Sequence, residues 1–153
     1  LDGILQCAAE FRGLTPLEHI DPADFARAVH VNLTAPGWLV QACLPLLRQA
    51  PDAALVLAVD DPQRVGQAYW GGYGVAQHGP RAPLGMLPAG VGNTGLQPGR
   101  RRTGLRARAY AEDHDRRLAD AAAYAGACVT LLSPAGAAHR GTIWAPEADA
   151  LPA

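Results

Sequence analysis

The chain's apolar positions fall into two kinds of pattern. Leu1-Asp2-Gly3-Ile4-Leu5-Gln6-Cys7-Ala8-Ala9 is a short apolar run ending in small residues, and Ala53 to Val59 is a continuous one. Both suit strands buried in a parallel sheet, the first feeding a loop at the sheet's carboxyl edge. Between them the spacing becomes helical. Asp21 is placed to cap a helix with Pro22 at its first position, followed by Phe25, Ala28, Val29 and Asn32 at helical intervals. Residues 33–50 continue with a broad stripe of Trp38, Leu39, Ala42, Cys43, Leu46 and Leu47, where Pro36-Gly37 and Pro45 predict a break or kink. Pro51-Asp52 predicts a turn. Strand, helix pair, strand is the alternation of an α/β sheet.

Beyond Val59 the pattern loosens. Asp60 to Tyr69 reads as a polar loop leading to Trp70-Gly71-Gly72-Tyr73-Gly74-Val75-Ala76-Gln77. Pro80, Pro83, Pro88 and five nearby glycines leave little room for a long helix after it. Residues 96–108 form a basic loop, Asp115 to Ala127 is alanine-rich and helical in character, and Cys128 to Leu132 completes that helix or starts the next element. Gly141-Thr142-Ile143-Trp144 predicts a short last strand. The expected organisation is one domain over residues 1–145 and a loose tail over 146–153. No internal repeat is visible.

Composition narrows the function classes. With 153 residues and 49% of them apolar, the chain can bury a real core. A formal charge of −1 supplies no global attraction to nucleic acid or an anionic membrane, so neither is expected as a partner. No apolar run approaches the ~18 residues of a membrane span. Asp2 and Gly3 stand where a signal peptide's basic region would be, and a cytoplasmic setting is expected. Cys7, Cys43 and Cys128 are few, odd in number and far apart, which predicts buried reduced thiols rather than a disulfide framework or zinc site. The histidines show no metal-ligand spacing, so no metal is expected. All 13 basic residues are Arg, and Ser133 is the only serine. Chemistry that needs a lysine, or a serine upstream, is therefore excluded.

Several landmarks, in order along nearly the whole chain, resemble those of short-chain dehydrogenases/reductases. Residues 1–9 look like the family's fourth strand, which runs into Asn-Asn-Ala-Gly or a close variant. Val31-Asn32-Leu33 is similar to the helix segment that carries the family's structural and catalytic asparagine. Leu55 to Val59 looks like the fifth strand, and Tyr73 stands where the catalytic tyrosine of Tyr-x-x-x-Lys does. Pro98-Gly99 with Thr103 resembles the Pro-Gly-x-x-x-Thr loop that closes over nicotinamide and pyrophosphate. Leu132-Ser133-Pro134 and Gly141 are similar to the closing helix and last strand. The resemblance implies a Rossmann-like α/β parallel sheet with flanking helices, NAD or NADP as cofactor, and oxidation or reduction of a small alcohol or carbonyl substrate. It implies Tyr73 and Asn32 as catalytic residues, and Cys7, Ala8, Ala9, Pro98, Gly99 and Thr103 as cofactor-binding ones.

The departures are equally specific. The serine position, thirteen residues before the tyrosine, holds Asp60 with Asp61 beside it, and the lysine position holds Gln77. The fourth-strand asparagine is Cys7 and its glycine is Ala9. The helix after Tyr73 meets Gly79-Pro80 within two turns, and the sixth strand is expected to be shortened or lost between Met86 and Pro98. The glycine-rich first turn that would hold a pyrophosphate lies outside these residues, so a domain with its N-terminal strand–helix units missing is expected. Gly90-Val91-Gly92-Asn93-Thr94-Gly95 is expected to be a flexible connection rather than a phosphate loop.

A free tyrosine titrates near about 10, and the family lowers that value with the neighbouring lysine. Without it, and with a carboxylate nearby, Tyr73 is expected to be pushed up. An arginine among Arg100 to Arg108 is the candidate replacement cation. Asn32 is expected to hold helix backbone groups, His78 to lie on the surface, and Asp60-Asp61 and Arg100-Arg101-Arg102 to be solvated loops. Little or no turnover follows. The alternatives are a non-catalytic protein that forms a homodimer or pairs with an intact family member, or a decayed gene product.

Overall fold

The computed structural model describes residues 1–79, 87, 90–111 and 118–145. The expected tail at 146–153, and 112–117 with part of the alanine-rich segment, lie outside the described residues. Four parallel strands lie side by side in chain order: β1 (Gly3–Gln6), β2 (Ala53–Ala58), β3 (Val91–Leu96) and β4 (Ile143–Trp144). Between β1 and β2 run α1 (Pro22–Val29) and α2 (Ala35–Leu47). After β2 come α3 (Pro62–Val65) and α4 (Gly71–His78), and after β3 come α5 (Gly104–Ala109) and α6 (Ala125–Leu132).

β2 is central because its Ala-Ala-Leu-Val-Leu-Ala text can be buried on both faces, and its first five residues are. Side chains alternate across a strand. Val56 packs with Leu96, Tyr124 and Leu131 on one side. Leu55, Leu57 and Val59 meet Val40 on the other. Each such aliphatic side chain, removed from water, contributes about 1.5–3 kcal/mol. β1 has a partner on one side only among the described residues, and Leu5 on it stays 40% exposed.

β3 corrects two expectations at once. The glycine-rich stretch is neither a flexible connection nor a lost sixth strand. It is a six-residue strand hydrogen-bonded between β2 and β4. Its small residues suit it to close neighbours rather than to a hydrophobic run. A Cβ on Gly92 would lie 2.3 Å from Nε of Arg140, which pairs with Asp52. Thr94 is 1% exposed and donates its hydroxyl to the carbonyl of His139.

Asp21 caps α1 by accepting from Ala23 N at 2.7 Å. No break occurs at Pro36-Gly37. The chain stays helical through a π-helical turn, His30–Thr34, where Ala35 N–H reaches back to His30 O. Pro36 has no N–H to offer Asn32 O, so the turn can widen there without losing an available bond. Pro45 is carried within α2. The expected helix near Ala127 begins later than its composition suggests: Ala121–Tyr124 is a 3₁₀ turn, and the α-helix runs over α6. The expectation of buried thiols is also corrected, since Cys7 is exposed and Cys43 and Cys128 are half-buried. No helix of the described residues is long and apolar enough to cross a membrane.

Candidate active site

The carboxyl ends of β1, β2 and β3 converge on one cleft of about 150 Å³, closed on the far side by α4 and α5. Parallel sheets place their ligand sites at this edge. Cys7, Ala9, Pro98, Gly99 and Thr103 all line it, together with Asp60, Tyr73 and Gln77. Ala8 and Asn32 are not among its lining residues.

Tyr73 enters from the first turn of α4. That helix sits close to α3: a Cβ on Gly74 would lie 2.2 Å from Val65 O, so only glycine permits the approach. The Tyr73 ring is held by Phe11 and Trp70, with centroids at 5.3 and 5.7 Å, and only 5% of the residue is exposed. Its hydroxyl donates to Asp60 Oδ2 at 3.0 Å. Gln77, one turn on, is also buried, and its Oε1 accepts from Asp60 N at 3.0 Å.

The expectation of a solvated Asp60-Asp61 loop is corrected. Asp60 is 9% exposed, and its Oδ1 accepts from Arg64 Nη2 and from Asp61 N. Asp61 caps α3 through Gln63 N, so the polar segment contains a helical turn. That turn places Arg64 four residues after Asp60, on the same side. The cation beside the tyrosine is thus Arg64, not one of Arg100 to Arg108. Its signal was legible: an aspartate, an Asp-Pro helix start and an arginine at i+4. Burial pushes the Tyr73 phenol well above its ordinary value, and the charge and hydrogen bond of Asp60 push it further, while Arg64 opposes them.

Asn32 lies in the π-helical turn, buried, and all three of its hydrogen bonds go to backbone groups. Its Nδ2 donates to Glu10 O and Ala28 O at 2.8 and 2.7 Å, and its Oδ1 accepts from Glu10 N at 2.9 Å. It staples the loop after β1 to the helix. His78 is exposed, its ring against Gly74 O at 2.8 Å. Thr103 uses its hydroxyl to cap α5, accepting from Arg106 N at 3.1 Å.

The basic loop is also corrected in part. Arg100 and Arg102 are exposed, but Arg101 is only 7% exposed and lies over the Tyr124 ring, 4.2 Å from Cζ to centroid. Sequence spacing carried no sign of that burial. Among the described residues, no group of three His, Cys, Asp or Glu is placed to hold a metal ion.

No family model matches the chain. The chain is 28% identical over 122 residues to the uncharacterized oxidoreductase YciK of Escherichia coli (strain K12); the match covers 77% of this chain and 48% of that protein. It therefore spans about half the length of this curated relative. A Pseudomonas syringae structure assigned as a short chain dehydrogenase superposes with a TM-score of 0.85 at 30% identity, covering 95% of this chain and 61% of the other. A short chain dehydrogenase from Escherichia coli CFT073, complexed with NADPH, gives a TM-score of 0.88 at 25% identity, covering 97% and 63%. In fold and in sequence, the chain matches part of a short-chain dehydrogenase/reductase.

Proposed function

We propose that this chain is a short-chain dehydrogenase/reductase-type domain with little or no hydride-transfer turnover of its own. One observation carries the reading: the hydroxyl of Tyr73 donates to Asp60, whose carboxylate is paired with Arg64. Carbonyl reduction in this family needs a phenol that gives its proton to the substrate oxygen, and alcohol oxidation needs a phenolate that takes one. A free tyrosine is ionised about one part in a thousand at pH 7. Tyr73, pushed upward by burial and by Asp60, is ionised less. Its proton is directed at a carboxylate instead of the cleft. Acid–base catalysis typically contributes ~10²–10⁴-fold, and that share is what this arrangement forfeits.

The residues at the cleft do not fit a nicotinamide dinucleotide. At the lysine position Gln77 offers an uncharged amide whose carbonyl accepts from Asp60 N, in place of the ammonium that holds the nicotinamide ribose in the family. NADPH belongs, in the comparison, to the Escherichia coli CFT073 protein.

The test is oxidation of NADPH and NADH by the 153-residue chain across a panel of small aldehydes and ketones from pH 5 to 10. No turnover above background is expected, and Asp60→Ser with Gln77→Lys should not restore it. Robust turnover with a group titrating near neutrality would overturn the reading. A second reading, a non-catalytic pairing protein, is favoured by α2, which leaves Trp38, Leu39 and Leu46 at 60%, 44% and 50% exposure. Light scattering behind size exclusion decides it: a strict monomer with no partner argues against pairing.

A further inference from the structure

We propose that the cleft is an oxyanion site built on Arg101, taking a small organic molecule that carries a phosphate or carboxylate group. The inference goes beyond the reading of Tyr73 and stands on a different residue. Arg101 is only 7% exposed, yet among the described residues none of its partners carries negative charge. One guanidinium nitrogen donates to Arg100 O, another to the Tyr124 hydroxyl, and Nε, buried, has no partner. Arg12, Arg27, Arg64, Arg102 and Arg140 each pair with an Asp or Glu; Arg101 does not.

A buried charge without a counter-charge is costly, and a tyrosine ring and neutral acceptors offset only part of that cost. A plain structural strut at this position would be better made by an apolar side chain. The charge is explained if an anion completes it. Arg101 lines the cleft, where the single carboxylate among the described lining residues, Asp60, is already engaged by Arg64. Tyr124 also donates to Pro98 O, so the ring that supports the guanidinium is itself tied to the loop beside it. Guanidinium geometry matches phosphate and carboxylate oxygens with two parallel N–H bonds. The cleft offers about 150 Å³ to water-sized groups, well above the ~10–15 Å³ that a single water needs by that measure. That accommodates an oxyanion with a few carbons against Leu105 and Ala109.

The experiment follows thermal stability and calorimetric binding of the whole chain with inorganic phosphate, phenyl phosphate, benzoate and NADPH at constant ionic strength. Saturable stabilisation by at least one small anion, beyond that from sodium chloride, is expected. Phenyl phosphate binding more tightly than benzoate identifies the phosphate class, and the reverse order the carboxylate class. Arg101→Leu should weaken binding by about tenfold to a hundredfold, the loss of a charge-assisted hydrogen bond. Arg102→Gln, at an exposed arginine paired with Asp120, should leave it within about twofold, as a surface ion pair contributes little. If Arg101→Leu does not fold, the wild-type response still decides. Small anions that act no differently from sodium chloride overturn the proposal, as does binding that survives Arg101→Leu. Tight NADPH binding with no response to the small anions overturns this proposal and the proposed function together.

Discussion

Asp60→Asn tests the arrangement around Tyr73 most directly. The substitution keeps the shape and one acceptor for the Tyr73 hydroxyl but removes the charge that Arg64 pairs with. The side chains of Asp60 and Arg64 are 10% and 25% exposed, so the stranded guanidinium would be partly but not fully solvated. Breaking a fully buried pair costs about 3–5 kcal/mol, and a hydrogen bond to a charged group contributes about 1.5–3. The residual exposure of Arg64 favours the lower part of that span, about 2–3 kcal/mol. For a domain of this size each kcal/mol moves Tm by about 2–4 °C, so a fall of roughly 5–10 °C is expected. Adding Arg64→Met should recover part of it, because the unpaired charge is then gone. The second readout is the phenol. Burial is the larger cause of the Tyr73 shift and the Asp60 charge the next. In Asp60→Asn, Tyr73 should therefore titrate at lower pH than in the wild type, yet still above the ordinary value of about 10. Absorbance titration of the phenolates resolves this against exposed Tyr69. A Tm within about 2 °C of wild type, or a wild-type chain whose tyrosines all ionise together near 10, would refute the reasoning.

Two further outcomes follow from the same contacts. Because the Tyr73 phenol sits higher in the folded chain than in the unfolded one, its contribution is fully present below pH ~10 and is lost as the pH climbs beyond that, at about 1.4 kcal/mol per pH unit. Urea midpoints between about pH 9 and 11 should fall less steeply in Tyr73→Phe than in wild type. Asn32→Ala removes three hydrogen bonds to Glu10 and Ala28 and should cost about 2–3 kcal/mol, read as a lower urea midpoint, with no change at the Tyr73 hydroxyl.

The order of the elements from β1 to β2 was determined by the sequence alone. Two apolar runs flanking a capped helical stretch fix β1, α1, α2 and β2, because burial on two faces and on one stripe leave different periodicities. Tyr73, Gln77, Pro98 and Thr103, chosen by motif spacing, do meet at one cleft. What only the tertiary structure decided is where local text is silent or contrary. β3 lacks a hydrophobic run, and strands on both sides supply its ladder while Arg140 fills the space above Gly92. Asp60 and Arg101 look like solvated loop residues, since charge usually marks exposure. Asp60 is buried because Arg64, Tyr73 and Gln77, from two different helices, converge on it. Arg101 is buried because Tyr124, 23 residues away, lies beneath it. Partners distant in the chain determine whether a charge can be buried, and periodicity along the chain carries no record of them.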